Sequence, residues 1–230
     1  MKRYIIYIIA FSMITASLYA GPELTIDNKR FYFGTMPQNS TVTHYFWFKS
    51  TGDDTLKITE IKTGCTCALM PLEREELPPG DSMLVGFYWE TKNSLYKTGK
   101  YPYIFTNAQD DPYQVMLTGI CVQFPDSARP VSTVPFRIEL LSYGDKSINQ
   151  QEFELTNHSN DEVDLTMISF PVEECEISFP EKINPNSSAK GYVKVKEAYL
   201  DKEFKRSLTL MDRNNTETRI TIPIRRKIYK

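Results

Sequence analysis

Hydrophobic and polar residues alternate with a period of two along most of the chain beyond residue 40. In "TVTHYFWF", Val42, His44, Phe46 and Phe48 fall on one side and Tyr45 and Trp47 on the other, the pattern of a half-buried strand. "TGDD" then turns the chain, and "TLKITEI" alternates again through Leu56 and Ile58 toward Ile61. After "LPPGD", the run "SMLVGFYWE" puts Met83, Val85, Phe87 and Trp89 on one face. "GKYPYIFTN", the turn "AQDD" and "PYQVMLTGICV" complete a set of short strands at the spacing of a β-sandwich. No stretch holds a helical period, so the expected class is all-β.

The second half repeats the first. "QEFELTNHSNDEVDLTMIS" lies over "HYFWFKSTGDDTLKITEIK" at an offset of 107 residues, setting Phe153 on Phe46, Leu155 on Phe48, Val163 on Leu56 and Leu165 on Ile58. "INPNSSAKGYVKV" follows "LPPGDSMLVGFYW" at 106, and "RSLTLMDRNNTETRITIPI" tracks "YPYIFTNAQDDPYQVMLTG" at 105. A drift of two residues over about a hundred is what loop insertions and deletions produce. The expectation is two tandem immunoglobulin-like sandwiches, at 21–122 and 134–230, joined by a proline-rich linker at 123–133.

The chain starts with Lys2 and Arg3, an apolar stretch, and Leu18-Tyr19-Ala20 before Gly21. That is the three-part pattern of a secretory signal peptide over 1–20, cleaved between Ala20 and Gly21. Removing Lys2 and Arg3 leaves 25 basic against 29 acidic residues, so the mature chain is near −4. No basic run survives to suggest nucleic acid as a partner. Export to the periplasm or beyond makes disulfides permissible, although four cysteines are too few to build the scaffold.

The first half resembles a known family. The opening "FYFG", the hairpin "STGDDTLKI", the step "CTC" at Cys65–Cys67, the turn "PPGD" and the closing "TN…L…G" follow the order of motifs in the bacterial domain of unknown function fifteen seventy-three. Thr66, Ala68 and Ser50 stand where that family usually has Gly, Thr and Asn. The resemblance covers about residues 24–122. It implies an immunoglobulin-like fold similar to ASH, hydin and major-sperm-protein domains, and secretion, commonly in Bacteroidota. It implies no activity.

The chemistry-bearing residues are few. Cys65, Cys67 and Cys121 form a candidate disulfide or thiol site, because strands that reverse direction place the "TGCTCA" corner and the end of "VMLTGICV" at one pole. A bridge to Cys121 would close a loop of about 55 residues, worth roughly 4 kcal/mol in the chain-entropy model. A Cys65–Cys67 link would close almost nothing, and free thiols or a soft-metal site such as Cu(I) are further alternatives. Cys175 aligns beside Cys67 in the repeat and is expected at the far end of the second sandwich. His44 reads as a core or rim histidine and His158 as a solvated turn residue. Tyr45, Trp47 and Tyr88 are either partner surface or filler. "EREE" reads as a solvated loop. Three Asp-Ser/Thr-apolar triplets resemble an O-glycosylation signal of Bacteroidota, with the linker copy at Ser127 the accessible one.

No nucleophile is paired with a base, no glycine-rich phosphate loop occurs, and no carboxylates are spaced for catalysis. The sequence therefore predicts a non-catalytic exported binding or scaffolding protein of the bacterial envelope, with a protein partner and no catalytic residue, cofactor or metal. The first alternative is a thiol-redox or copper-handling protein using Cys65, Cys67 and Cys121. The second is a two-domain periplasmic chaperone that pairs an edge strand with its client. Such a chaperone needs basic residues in its cleft, and the sequence alone places no such pair.

Overall fold

The structure, a computed structural model, describes residues 21–169 and 173–229. The signal-peptide reading, including Ala20, lies outside those residues. The first half contributes β1 (Leu24–Ile26), β2 (Arg30–Pro37), β3 (Thr41–Ser50), β4 (Leu56–Lys62), β5 (Ala68–Leu69), β6 (Glu76–Leu77), β7 (Ser82–Glu90), β8 (Tyr96–Lys100), β9 (Tyr103–Thr106), β10 (Tyr113–Gln114) and β11 (Met116–Val122). The second half contributes β12 (Val131–Val134), β13 (Ile138–Tyr143), β14 (Lys146–Ser147), β15 (Gln150–Asn157), β16 (Val163–Ser169), β17 (Cys175–Ser178), β18 (Lys182–Ile183), β19 (Ser187–Val195), β20 (Phe204–Asp212) and β21 (Arg219–Tyr229). Two single 3-10 turns are the only helical pieces among the described residues. No helix there is long and apolar enough to cross a membrane.

The duplication is explicit in the pairing. One sheet runs β1-β3-β7-β5 in the first half, and its counterpart runs β12-β15-β19-β17 in the second. Leu56 pairs with Leu77 where Val163 pairs with Ile183, and Ala68 pairs with Trp89 where Cys175 pairs with Val195. The alternating residues form two cores. Phe46, Phe48, Leu56, Ile58, Val85 and Phe87 are buried in one, and Phe153, Leu155, Val163, Leu165 and Val193 in the other. Trp89 and Phe33 fill the first core edge to face at 6.1 Å.

The two halves are not arranged end to end. A nine-stranded sheet runs from β18 through β16, β20 and β21 into β2, β11 and β8, with β13 and β14 off that path. The crossing from one half to the other is the parallel pairing of Thr35 with Ile220. Gly34, at a φ of +67°, permits it: a Cβ there would lie 2.1 Å from the Arg219 carbonyl oxygen. The stretch at 123–133 is also more ordered than a linker. It holds a 3-10 turn at Pro125–Ser127, buries Ala128 in the second core, and enters β12 at Val131.

Candidate binding site at the domain junction

The outer edge of β3 is covered by β1 only from Phe48 onward. Upstream of that, the second half takes the place of a neighbouring strand. Thr43 turns its main chain away from β7: its N–H donates to Ser207 Oγ at 2.8 Å, and Ser207 Oγ donates to the Thr43 carbonyl at 3.0 Å. One hydroxyl thus satisfies both backbone groups of a buried residue, as a strand rung would. Thr221 Oγ1 donates to the Phe33 carbonyl at 2.6 Å, and Arg219 Nη1 donates to the Tyr32 carbonyl at 3.0 Å. These buried polar groups at the seam are therefore hydrogen-bonded, which is the condition for burying them at little cost.

His44 sits on this seam as a packing residue. Its ring stacks on Phe31 at 3.7 Å, meets Phe46 edge to face at 4.8 Å, and places Nδ1 3.3 Å from Ser169 Oγ. Burial pulls its pKa down to about 3, so the neutral imidazole is the resident form. Tyr45 and Tyr88 are seam residues too. Their rings flank the Arg206 guanidinium, each at 5.9 Å, while Arg206 donates to Tyr88 Oη at 3.2 Å and pairs with buried Glu174. Burial raises the Tyr45 pKa against the opposing pull of Arg206. Of the three aromatics read as a candidate partner surface, Tyr45 and Tyr88 are partly covered by Arg206 of the chain's own second half. Trp47 remains 46% exposed.

Where the halves diverge they leave a cleft of about 350 Å³. Its first wall is the start of β3 with Glu90 at the end of β7 and Lys92 after it; its second is Arg137–Glu139 with Lys205 and Arg225. Thr91 fixes the first wall, since its Oγ1 donates to the Pro37 carbonyl at 2.8 Å and accepts the Ser40 N–H at 3.1 Å. Lys205 pairs with Glu90 at 3.4 Å across the junction, and Arg225 pairs with Glu139 at 2.7 Å. Arg137 reaches back to the Gln38 and Asn39 carbonyls at 3.4 Å. Among the described residues neither Arg137 nor Lys92 has a carboxylate partner. Four cations against two carboxylates leave the cleft positive on a chain whose formal net charge is −2. The sequence concealed this cluster, because its members are scattered from Lys92 to Arg225, and the short basic steps at Lys205-Arg206 and Arg225-Arg226-Lys227 do not show that they face Lys92 and Arg137.

The cysteines divide differently from the expected trio. Cys65 and Cys67 are bridged to each other, with Cα atoms 5.2 Å apart. Cys121 is a free thiol, fully buried in β11, and burial pushes its pKa up to about 11. The alternative of a bridge from the corner to Cys121 is therefore corrected: its side chain belongs to the first core. The shared Cys65, Cys67 and Cys121 copper site has no support either, since bridged sulfurs offer no thiolate. Among the described residues no group of three or more His, Cys, Asp and Glu is placed to hold a metal. Cys175 is also free and buried, with its pKa pushed up to about 12, chiefly by burial. It follows Glu174, which reaches the seam through Arg206, so the far-end placement is overturned by the side-by-side packing.

The remaining candidates are peripheral. His158 Nε2 lies 2.7 Å from Ser132 Oγ and is mostly exposed. The 73–76 run is exposed, with Lys57 paired to Glu76 at 2.8 Å. Asp126 and Ser127 are exposed, while Ala128, the apolar member of that triplet, is buried. Gly21 is exposed at the start of the described residues.

Residues 24–121 match the family described as "Protein of unknown function (DUF1573)". A search of the curated proteins found no match. Among solved structures, a protein of unknown function from Porphyromonas gingivalis W83 is similar at 9% identity and a TM-score of 0.36, over 88% of this chain and 99% of that one. The ASH/PapD-like domain 7 of human CEP192 is similar at 9% identity and 0.37, over 54% of this chain and 99% of that one. The E. coli chaperone DraB is similar at 11% identity and 0.34, over 87% and 98%.

Proposed function

We propose that the protein is an exported, non-catalytic binding protein of the bacterial envelope whose two sandwiches act as one recognition unit. The junction cleft is its seat for an acidic group of a protein partner. The observation that carries this reading is the convergence of Lys92, Arg137, Lys205 and Arg225 from both halves around one concavity, with only Glu90 and Glu139 to balance them. Charge of one sign in a cleft raises the local concentration of an oppositely charged partner and orients it. A two-domain chaperone is the second reading, favoured by the same cations, which supply the basic cleft that the sequence alone did not place.

The test is differential capture. Mature protein and a Lys92→Glu/Arg137→Glu variant of equal thermal stability would each be incubated with native envelope extract, and bound proteins identified by mass spectrometry. The proposal expects partners retained by the native protein and lost from the variant, with retention weakening as salt rises. A folded partner retained stoichiometrically supports a scaffold, and a mixture of unassembled clients supports a chaperone. Identical partner sets for both proteins would refute the cleft as the seat. Recovery of native protein from the cytoplasm with Met1 intact would refute export.

A further inference from the structure

We propose that the Cys65–Cys67 disulfide is a thiol–disulfide exchange site that takes two electrons from a dithiol protein while the fold stays intact. The inference goes beyond the binding role and does not depend on it.

The corner that holds the bridge is built without it. Thr63 Oγ1 donates to the Cys65 carbonyl at 3.2 Å and to the Ala68 carbonyl at 2.8 Å. The Ala68 N–H returns to the Cys65 carbonyl at 3.3 Å, and the Glu90 N–H donates to the Cys67 carbonyl at 2.8 Å. Ala68 is itself buried and paired with Trp89 in the sheet. The backbone on either side of both sulfurs is thus fixed by main-chain and hydroxyl bonds that reduction does not remove. Both cysteines are partly exposed, and Gly64 beside them has open space around it. The bridge spans a sequence separation of only two, so it constrains the unfolded chain little and folding does little to protect it from reduction.

The other two cysteines do not interfere. Cys121 and Cys175 are buried, and burial keeps both as protonated thiols, poor nucleophiles toward a mixed disulfide at the surface. In the exchange, a donor thiolate attacks one sulfur of the bridge and the S–S bond breaks. The electron pair leaves on the other sulfur, which takes up a proton. The donor's second thiol then attacks the mixed disulfide, releasing the first cysteine as its thiol. The donor ends as a disulfide and the corner as two thiols, with two electrons and two protons transferred. Reoxidation is the same sequence reversed against a more oxidising disulfide.

The full mature chain would be equilibrated in glutathione buffers of rising reduced fraction, alkylated without denaturant, and mapped by mass. The expected result is alkylation confined to Cys65 and Cys67 in millimolar reduced glutathione. The thermal midpoint should stay within about 5 °C of the oxidised form, and the bridge should re-form when oxidised glutathione is restored. As a second measurement, Cys65→Ser and Cys67→Ser variants should fold and accumulate a stable glutathione adduct on the remaining corner cysteine. A bridge that survives millimolar reduced glutathione in the folded chain would overturn the proposal. So would labelling of Cys121 and Cys175 at the same rate as the corner, because reduction would then require unfolding.

Discussion

The hydroxyl of Ser207 bonds both the N–H and the carbonyl of Thr43, at 2.8 and 3.0 Å, across the boundary between the two sandwiches. Both residues are 1% exposed, and neither would attract attention in the sequence. Ser207→Ala removes the hydroxyl that bonds both backbone groups of buried Thr43, and should cost about 1–3 kcal/mol in chemical denaturation of the full chain. An unchanged midpoint would mean that water reaches the seam.

Gly34→Val tests the same boundary from the strand crossing. The new side chain meets the Arg219 backbone, and the left-handed φ adds strain, so a loss of about 1–3 kcal/mol is expected. Limited proteolysis should show new cleavage near Gln123 and Phe124, both exposed in the native chain. Native-like resistance would contradict the crossing.

Alternation along β3 predicts an ordered series. Phe46→Ala empties a fully buried position and should cost roughly 3–5 kcal/mol. Trp47→Ala, on the exposed face, should cost less than about 1 kcal/mol. Tyr45→Ala should fall between them, because its ring faces Arg206 at the seam. Equal losses at all three would break the strand assignment.

His44 makes stability depend on acid. Its folded pKa, about 3, lies below the unfolded value near 6.5, so the native state binds fewer protons than the unfolded chain between those limits. Stability from this group is fully present above about pH 6.5 and declines as pH falls toward 3, by at most about 1.4 kcal/mol per pH unit. Denaturant titrations of native protein and His44→Phe from pH 7.5 to 4.5 should show the variant losing less. Parallel pH profiles would contradict the buried neutral imidazole.

The cores were legible because burial there follows the alternation: Phe46, Phe48, Leu56, Ile58, Met83, Val85 and Phe87 are buried as read, as are Phe153, Leu155, Val163, Leu165 and Val193, while Ile61 is only partly buried beyond a register shift in β4. The duplication was legible because equivalent pairs, such as Leu56–Leu77 and Val163–Ile183, keep their spacing to within one residue. The junction was not. Thr43, Ser207, Thr209 and Thr221 occupy positions that a two-period pattern assigns to solvent, and they are buried because their polar groups find partners across the seam or on the next strand. Hydrophobic patterning cannot register a polar seam. The cleft was hidden for a related reason, since its cations are distant in sequence and converge only through the side-by-side packing. The corner cysteines were visible as a pair, but their choice of each other over Cys121 is settled by Cys121 pointing into the core.

Amide hydrogen exchange at Thr43 in the chain holding both sandwiches, read by NMR, bears most directly on the claim that the two form one unit. If Ser207 caps the free edge of β3, the Thr43 amide exchanges as slowly as the amides inside β7, and Ser207→Ala accelerates it by an order of magnitude or more. Exchange at the rate of a solvent-exposed edge amide in the native chain would show that the halves are not docked, and the junction cleft would lose its second wall.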